Sequence, residues 1–278
     1  MDVDALEVRL KRGDVGTVVV TLGTTATGAC DPLPAILDLQ ANYRFRVHVD
    51  SAYGGYFILA DNLTPQTYEA YSRVRDADSV VVDPHKHGLQ PYGCGCVLFR
   101  DPSVGSLYKH DSPYTYFSSA ELHLGEISLE CSRPGAAAVA LWATQRLFPL
   151  DKGGEFTGML SKCRNAAVHL YSRLEEDSRF IAELKPELDI VVWAVKARTI
   201  EESSRLARLI FEEAARQDLH LALANLPTAF FGDSWQVGDG PTITCLRSCL
   251  MKPEHHDWLD SIWNKLDNAA ATVLNSAS

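Results

Sequence analysis

No apolar run in this chain approaches the roughly 18 to 20 residues that a membrane-spanning helix needs. The longest, Ala136–Ala143, suits a buried helix, and Val18–Val20 and Val80–Val82 suit buried strands. There is no basic cluster: 26 Lys and Arg stand against 36 Asp and Glu, a formal charge of −10, with a pI near 5.3. A nucleic-acid surface needs a positive stripe to meet the phosphates, so that class of partner is excluded. The amino terminus, MDVDALEVRLKRGD, is amphipathic and acidic and reads as neither a signal nor a transit peptide. The seven cysteines are odd in number and lack framework spacing, which fits reduced thiols and a cytoplasmic protein. Cys94-Gly-Cys96 has the wrong spacing for a zinc knuckle, and no second Cys/His pair stands at ligand spacing. No G-x-S-x-G elbow, Walker loop or G-x-G-x-x-G occurs, so hydrolase, NTPase and dinucleotide readings have no anchor. Internal repeats and low-complexity segments are absent as well.

What is present is ordinary globular material: 278 residues, 46% hydrophobic and 22% charged. Thr17–Leu22 is β-branched and continuous, as parallel strands covered on both faces are. A small-residue turn, Gly23–Gly28, follows, and Asp31-Pro32 opens a helix to about Asn42, with Asp near the N-cap. Strands are expected at Phe45–Asp50, Ser79–Asp83 and Cys96–Arg100, with a helix near Leu63–Val74. Short buried strands alternating with helices make βαβ units and a mostly parallel sheet. The second half reads differently. Helices are expected over Pro134–Phe148 and from about Gly154 to Glu176, then a strand at Leu188–Lys196. Thr199-Ile-Glu-Glu202 is a capping box that opens a helix to about Gln217. Strands at His220–Ala224 and Thr242–Leu250 and a helix over Glu254–Leu274 complete the chain. The expected organisation is a large α/β domain over 1–150, then a connecting helix and a smaller α+β domain over 151–278.

Three features fall at the carboxyl ends of successive expected strands: Gly23-Thr24-Thr25, His48-Val49-Asp50-Ser51-Ala52 and Asp83-Pro84-His85-Lys86. Ligands of open α/β sheets bind at those ends. A lysine in such a crevice can form a Schiff base, and a carboxylate on the adjacent strand can keep a ring nitrogen protonated. Pyridoxal phosphate requires that pair.

Thr21-Leu-Gly-Thr-Thr-Ala-Thr-Gly28, His48-Val-Asp-Ser-Ala-Tyr-Gly-Gly55 and Asp78-Ser-Val-Val-Val-Asp-Pro-His-Lys86 together resemble the three ordered motifs of the group II pyridoxal-phosphate decarboxylases. That family includes tyrosine, aromatic-amino-acid, glutamate and aspartate decarboxylases. The 27 residues from Gly23 to Asp50 also resemble its spacing. The resemblance is strong over residues 15–150 and only in pattern beyond. It implies a fold-type-I α/β architecture and decarboxylation of an L-amino acid, either aromatic such as tyrosine or acidic. By the same resemblance Lys86 matches the lysine that holds the cofactor as an internal aldimine, and Asp50 the partner of the pyridinium nitrogen. Ala52 matches the small residue packed on the ring, and Thr25 the threonine near the ring hydroxyl and substrate carboxylate. His85 matches a residue at or beside the phosphate, and Asp83 is a weaker candidate for the same surroundings. Cys131-Ser-Arg-Pro-Gly135 is similar to a segment of the archaeal branch and makes Arg133 a substrate-site candidate. In Lys109–Phe117, Tyr114 is the expected proton donor and Tyr116 the next choice at the substrate.

The resemblance also implies a phosphate-cradling loop and a ring-stacking histidine ahead of Thr17, and neither stands there. A homodimer, or association with a chain supplying that part, is therefore expected. A carbon–carbon lyase of the sphingosine-phosphate type and a truncated non-catalytic subunit remain the alternatives.

Overall fold

The computed structural model describes residues 1–109, 135–232, 235 and 240–277. Its contacts divide the chain into two compact units. The first comprises Met1–Leu22, Asp31–Gly55 and Glu69–Pro149; the second comprises Gly23–Cys30, Tyr56–Tyr68 and Leu150–Ser278.

The first unit is built on a four-stranded sheet of β1 (Thr17–Thr21), β2 (Arg46–Asp50), β3 (Ser79–Val82) and β4 (Cys96–Phe99), in that order. β1–β2 and β2–β3 are parallel and β3–β4 is antiparallel. This is the mostly parallel α/β sheet that the alternating pattern predicts. Thr21 pairs with Asp50, and Asp50 with Val81, so the carboxyl ends of three strands lie level. Val18, Val20, Val47 and Val49 are buried. Burial on both faces of β1 is not what the structure shows: Val19 is 52% exposed. β-Branched residues suit the pleat whichever face is covered, so a continuous valine run does not require two covering layers.

Helix α1 (Val3–Leu10) starts where the Asp2 carboxylate accepts the Ala5 N–H at 3.0 Å. Helix α2 (Leu33–Asp38) has no such cap. Asp31, expected to supply it, turns back instead: its carboxylate accepts the Thr21 N–H at 2.8 Å and pairs with the amino terminus. A strand-end amide and a cation outcompete the helix end because they offer the charged acceptor a tighter site. A short helix α3 spans Pro65–Ser72, and α4 spans Ala136–Leu147.

The second unit holds an antiparallel sheet, order β5-β6-β8-β7, from Phe180–Ile181, Ile190–Val195, Thr242–Cys249 and Ala222–Pro227 respectively. Helices α5 (Glu155–Glu176), α6 (Ile200–Arg216), α7 (Glu254–Asp257) and α8 (Leu259–Ala277) belong with it. Leu170 and Leu174 of α5, Val191, Trp193 and Val195 of β6, Ile210 of α6 and Leu266 of α8 share one core. Each such large apolar side chain contributes about 1.5–3 kcal/mol on burial. The Thr199 hydroxyl accepts the Glu202 N–H at 3.1 Å and caps α6, as its sequence predicts.

Strand β7 runs two to three residues later than its composition indicates. It is a half-exposed edge strand, and an edge tolerates the terminal Pro227 that otherwise reads as a breaker. The expected last helix is broken at Trp258 into α7 and α8. Among the described residues no helix is long and apolar enough to cross a membrane.

Candidate active site

Asp50 is the last residue of β2. Its carboxylate accepts the Ala52 N–H at 3.1 Å, which opens a turn over Ser51–Gly55. That turn is laced to β3 beyond the end of the ladder. The Ser51 hydroxyl donates to the Val81 carbonyl at 2.8 Å, and the Asp83 N–H donates to the Ala52 carbonyl at 3.1 Å. Gly55 closes the turn at a place where no side chain fits: a Cβ would stand 2.8 and 2.9 Å from the two γ-methyls of Val82. Gly55 therefore lets β2 and β3 approach with their carboxyl ends together.

Directly after β3, Asp83-Pro84-His85-Lys86 folds into a tight turn, with the Lys86 N–H donating to the Asp83 carbonyl at 2.9 Å. Lys86 Nζ lies 2.9 Å from Asp83 Oδ2, and His85 Nε2 stands 3.8 Å from the same oxygen. The His85 ring donates from Nδ1 to the Cys94 carbonyl at 2.7 Å, while its backbone N–H donates to that carbonyl at 3.1 Å. The imidazole is thereby fixed in plane. His87 is buried, with Nδ1 donating to the Tyr53 carbonyl at 3.0 Å and its ring edge-on to Tyr53 at 4.7 Å. It ties the Lys86 turn to the Asp50 turn.

Leu89 adopts a left-handed φ of 58°, which costs a non-glycine residue on the order of 1 kcal/mol. The Gln90 side-chain amide holds that bend by donating to the Thr144 hydroxyl at 2.7 Å. Beyond the turn, burial pushes the Cys96 thiol up, and Cys94 adds to the shift. Asp50 and Ala52, and separately Asp83, His85 and Lys86, are thus brought together by direct contacts at the carboxyl ends of β2 and β3.

Thr25 lies in the second unit, exposed on the Gly23–Cys30 loop. The loop is internally bonded: the Gly23 and Thr24 N–H groups both donate to the Ala29 carbonyl, at 3.0 and 2.9 Å. Gly28 takes a φ of +72°, and a Cβ there would meet Ile190 at 3.4 Å. Tyr114, Tyr116 and Arg133 lie outside the described residues.

The donor set fits pyridoxal phosphate. It has a half-exposed amine on Lys86, a carboxylate on the neighbouring strand end, a small Ala52 beside that carboxylate, and an oriented imidazole.

Residues 3–196 match the family model described as the pyridoxal-dependent decarboxylase conserved domain. The chain belongs to the pyridoxal-dependent decarboxylase family. L-Tyrosine decarboxylase of Enterococcus faecium is 26% identical over 336 residues, covering 95% of this chain and 54% of the relative. A probable L-aspartate decarboxylase of Pyrococcus furiosus is 31% identical over 144 residues, 51% of this chain and 38% of the relative. Among solved structures, Oryza sativa TDC with PLP and tryptamine superposes with a TM-score of 0.77 at 20% identity, over 98% of this chain and 55% of that one. Mouse CSAD gives 0.77 at 20% identity, over 97% and 56%. These likenesses show the fold-type-I architecture of the pyridoxal-dependent decarboxylases. The chain spans about half the length of such relatives.

Sequence reasoning missed several residues that shape this site. Cys94 serves through its carbonyl and His87 through a ring contact, and neither role leaves a pattern in the sequence. Arg247, which bonds the Thr25 loop from β8, does leave one: it is the sole charged residue in the apolar stretch Thr242–Leu250.

Proposed function

We propose that this chain carries out pyridoxal-phosphate-dependent decarboxylation of an L-amino acid, aromatic such as tyrosine or acidic, yielding the amine. The observation that carries this reading is the pair of laced turns, one following Asp50 at the end of β2 and the other carrying Lys86 just after β3, in a chain of this family. The names of the Enterococcus and Pyrococcus relatives support the two substrate classes.

Pyridoxal phosphate, when bound, supplies a ring that takes up the electrons left by the departing carboxylate. The chain's own groups do the rest. Lys86 Nζ would be the amine that holds the cofactor. An Asp50 carboxylate oxygen holds the proton on the ring nitrogen. Ala52 would leave room for the ring, and His85, with Asp83 beside it, would hold the phosphate. By the family resemblance, Thr25 would serve the ring hydroxyl and the substrate carboxylate, and Arg133 and Tyr116 would serve the substrate. Tyr114 returns a proton to the carbon that has lost CO₂. The exposure of Val97, Leu98 and Phe99 on β4, and of Val139 and Trp142 on α4, supports a homodimer or a partner chain that covers them.

The test is incubation of the purified chain and pyridoxal phosphate with L-tyrosine, L-aspartate and L-glutamate, measuring CO₂ and amine together. Amine matching CO₂ that disappears in Lys86→Ala, with a rate that falls at least about a hundredfold in Asp50→Asn, a loss typical of removing an electrostatic group at the reacting centre, supports the reading. Aldehyde release, or no turnover with any of them, contradicts it.

A further inference from the structure

Arg247 sits half-buried near the middle of β8, more than 200 positions from the loop it touches. Its Nε donates to the Ala26 carbonyl at 2.9 Å, and its Nη2 donates to the Thr25 carbonyl. One guanidinium therefore grips two consecutive peptide planes, those that leave Thr25 and Ala26. The planar fork of arginine suits this, whereas an ammonium is a point charge without a fixed second donor. The grip is anchored. Leu246, beside Arg247, is fully buried in the core that includes Trp193, and β8 is hydrogen-bonded to β6 on one side and β7 on the other. From the opposite end the loop closes on itself. The Thr24 hydroxyl bonds that of Thr27 at 2.8 Å and accepts the Ala29 N–H at 3.1 Å. Between these fixed points Thr25 is exposed, with no hydrogen bond from its own hydroxyl to the loop among the described contacts.

We infer that Arg247 is the positioning residue for Thr25: it sets the direction of the Thr25 side chain by fixing the two peptides that follow it. The inference rests on the proposed decarboxylase reading for what Thr25 contacts, but the clamp itself is a property of the loop and strand.

Two measurements test it. Hydrogen exchange on the full-length, cofactor-free chain reads the clamp directly. In Arg247→Lys the peptide covering Gly23–Cys30 is expected to exchange about tenfold faster, the loss of one charge-assisted grip. The amides of Ile190–Val195 are expected to stay as protected as before. Unchanged loop exchange overturns the clamp, and so does loss of protection throughout β6 and β8, which marks Arg247 as a general stability residue.

The second measurement is pyridoxal-phosphate affinity by absorbance titration in a double-mutant cycle. Arg247→Lys is expected to weaken binding several-fold alone and to add nothing on a Thr25→Ala background, because it acts through Thr25. Losses that multiply overturn the positioning role, as does full affinity in Arg247→Lys. A wild-type chain that takes up no cofactor at Lys86 defeats the decarboxylase reading instead, and the exchange result then decides the clamp by itself.

Discussion

Lys86 Nζ and Asp83 Oδ2 stand 2.9 Å apart across one turn of chain, so the amine expected to hold the cofactor is aimed by a carboxylate three residues before it. Half-exposed pairs contribute little to stability, about 0–1 kcal/mol, so the contact matters for direction more than for folding. Asp83→Ala is expected to leave the urea midpoint of the chain nearly unchanged while slowing capture of pyridoxal phosphate at Lys86 about threefold to tenfold, the usual consequence of losing a preset orientation. Stopped-flow absorbance checks the rate. Equal capture rates show that Lys86 needs no such guide.

Gly55 is the tightest approach in the site. With Val82 methyls at 2.8 and 2.9 Å and the Ser51 hydroxyl at 3.2 Å from any added Cβ, Gly55→Ala forces the β2 and β3 ends apart. Overpacking of this kind costs about 1–3 kcal/mol. Equilibrium denaturation is expected to show that loss together with weaker cofactor binding, since the same turn carries Asp50 and Ala52. A variant with wild-type stability contradicts the close approach.

The pH dependence has a specific source in the second unit. Hydrogen bonds from the Arg179 side chain, one of them at 3.0 Å, hold the Asp177 carboxyl below its ordinary value, and Asp267 joins the same guanidinium at 2.6 Å. A carboxylate lowered in the folded state stabilises that state above its unfolded value, about 3.9. The contribution is lost as pH falls through the lower folded value. Urea unfolding from pH 7 to pH 2 is expected to show wild type above Arg179→Gln at neutral pH, with the gap closing below about pH 4. A gap constant across that range contradicts the pairing.

Burial pushes the Cys163 and Cys245 thiols up to about 12. At pH 8 they hold almost no thiolate, the form that reacts. Iodoacetamide on the folded chain is expected to modify half-buried Cys30 and Cys249 while sparing Cys163 and Cys245 until denaturant is added. Early modification of Cys163, read by peptide mass spectrometry, runs against the packing of α5.

The local parts of this structure were legible in the sequence. The valine runs placed β1, β2 and β3 to within a residue or so, and Thr199 announced the start of α6, because period and capping are short-range properties. The three motifs placed Asp50 and Lys86 at strand ends. What stayed hidden was long-range or small. Nothing near Asp31 says that its carboxylate turns back to Thr21, ten residues earlier, rather than to the helix end beside it. The two-residue β5 is too short to leave a period. The link from Arg247 to Thr25 joins segments that only the folded sheet brings together.

The central claim is that Lys86 is the amine that holds pyridoxal phosphate, and borohydride reduction of the purified chain with added cofactor tests it most directly. Peptide mass spectrometry is expected to find a phosphopyridoxyl group on Lys86 alone, absent from Lys86→Ala. Labelling scattered over surface lysines such as Lys11 and Lys265, or none at all, would contradict it.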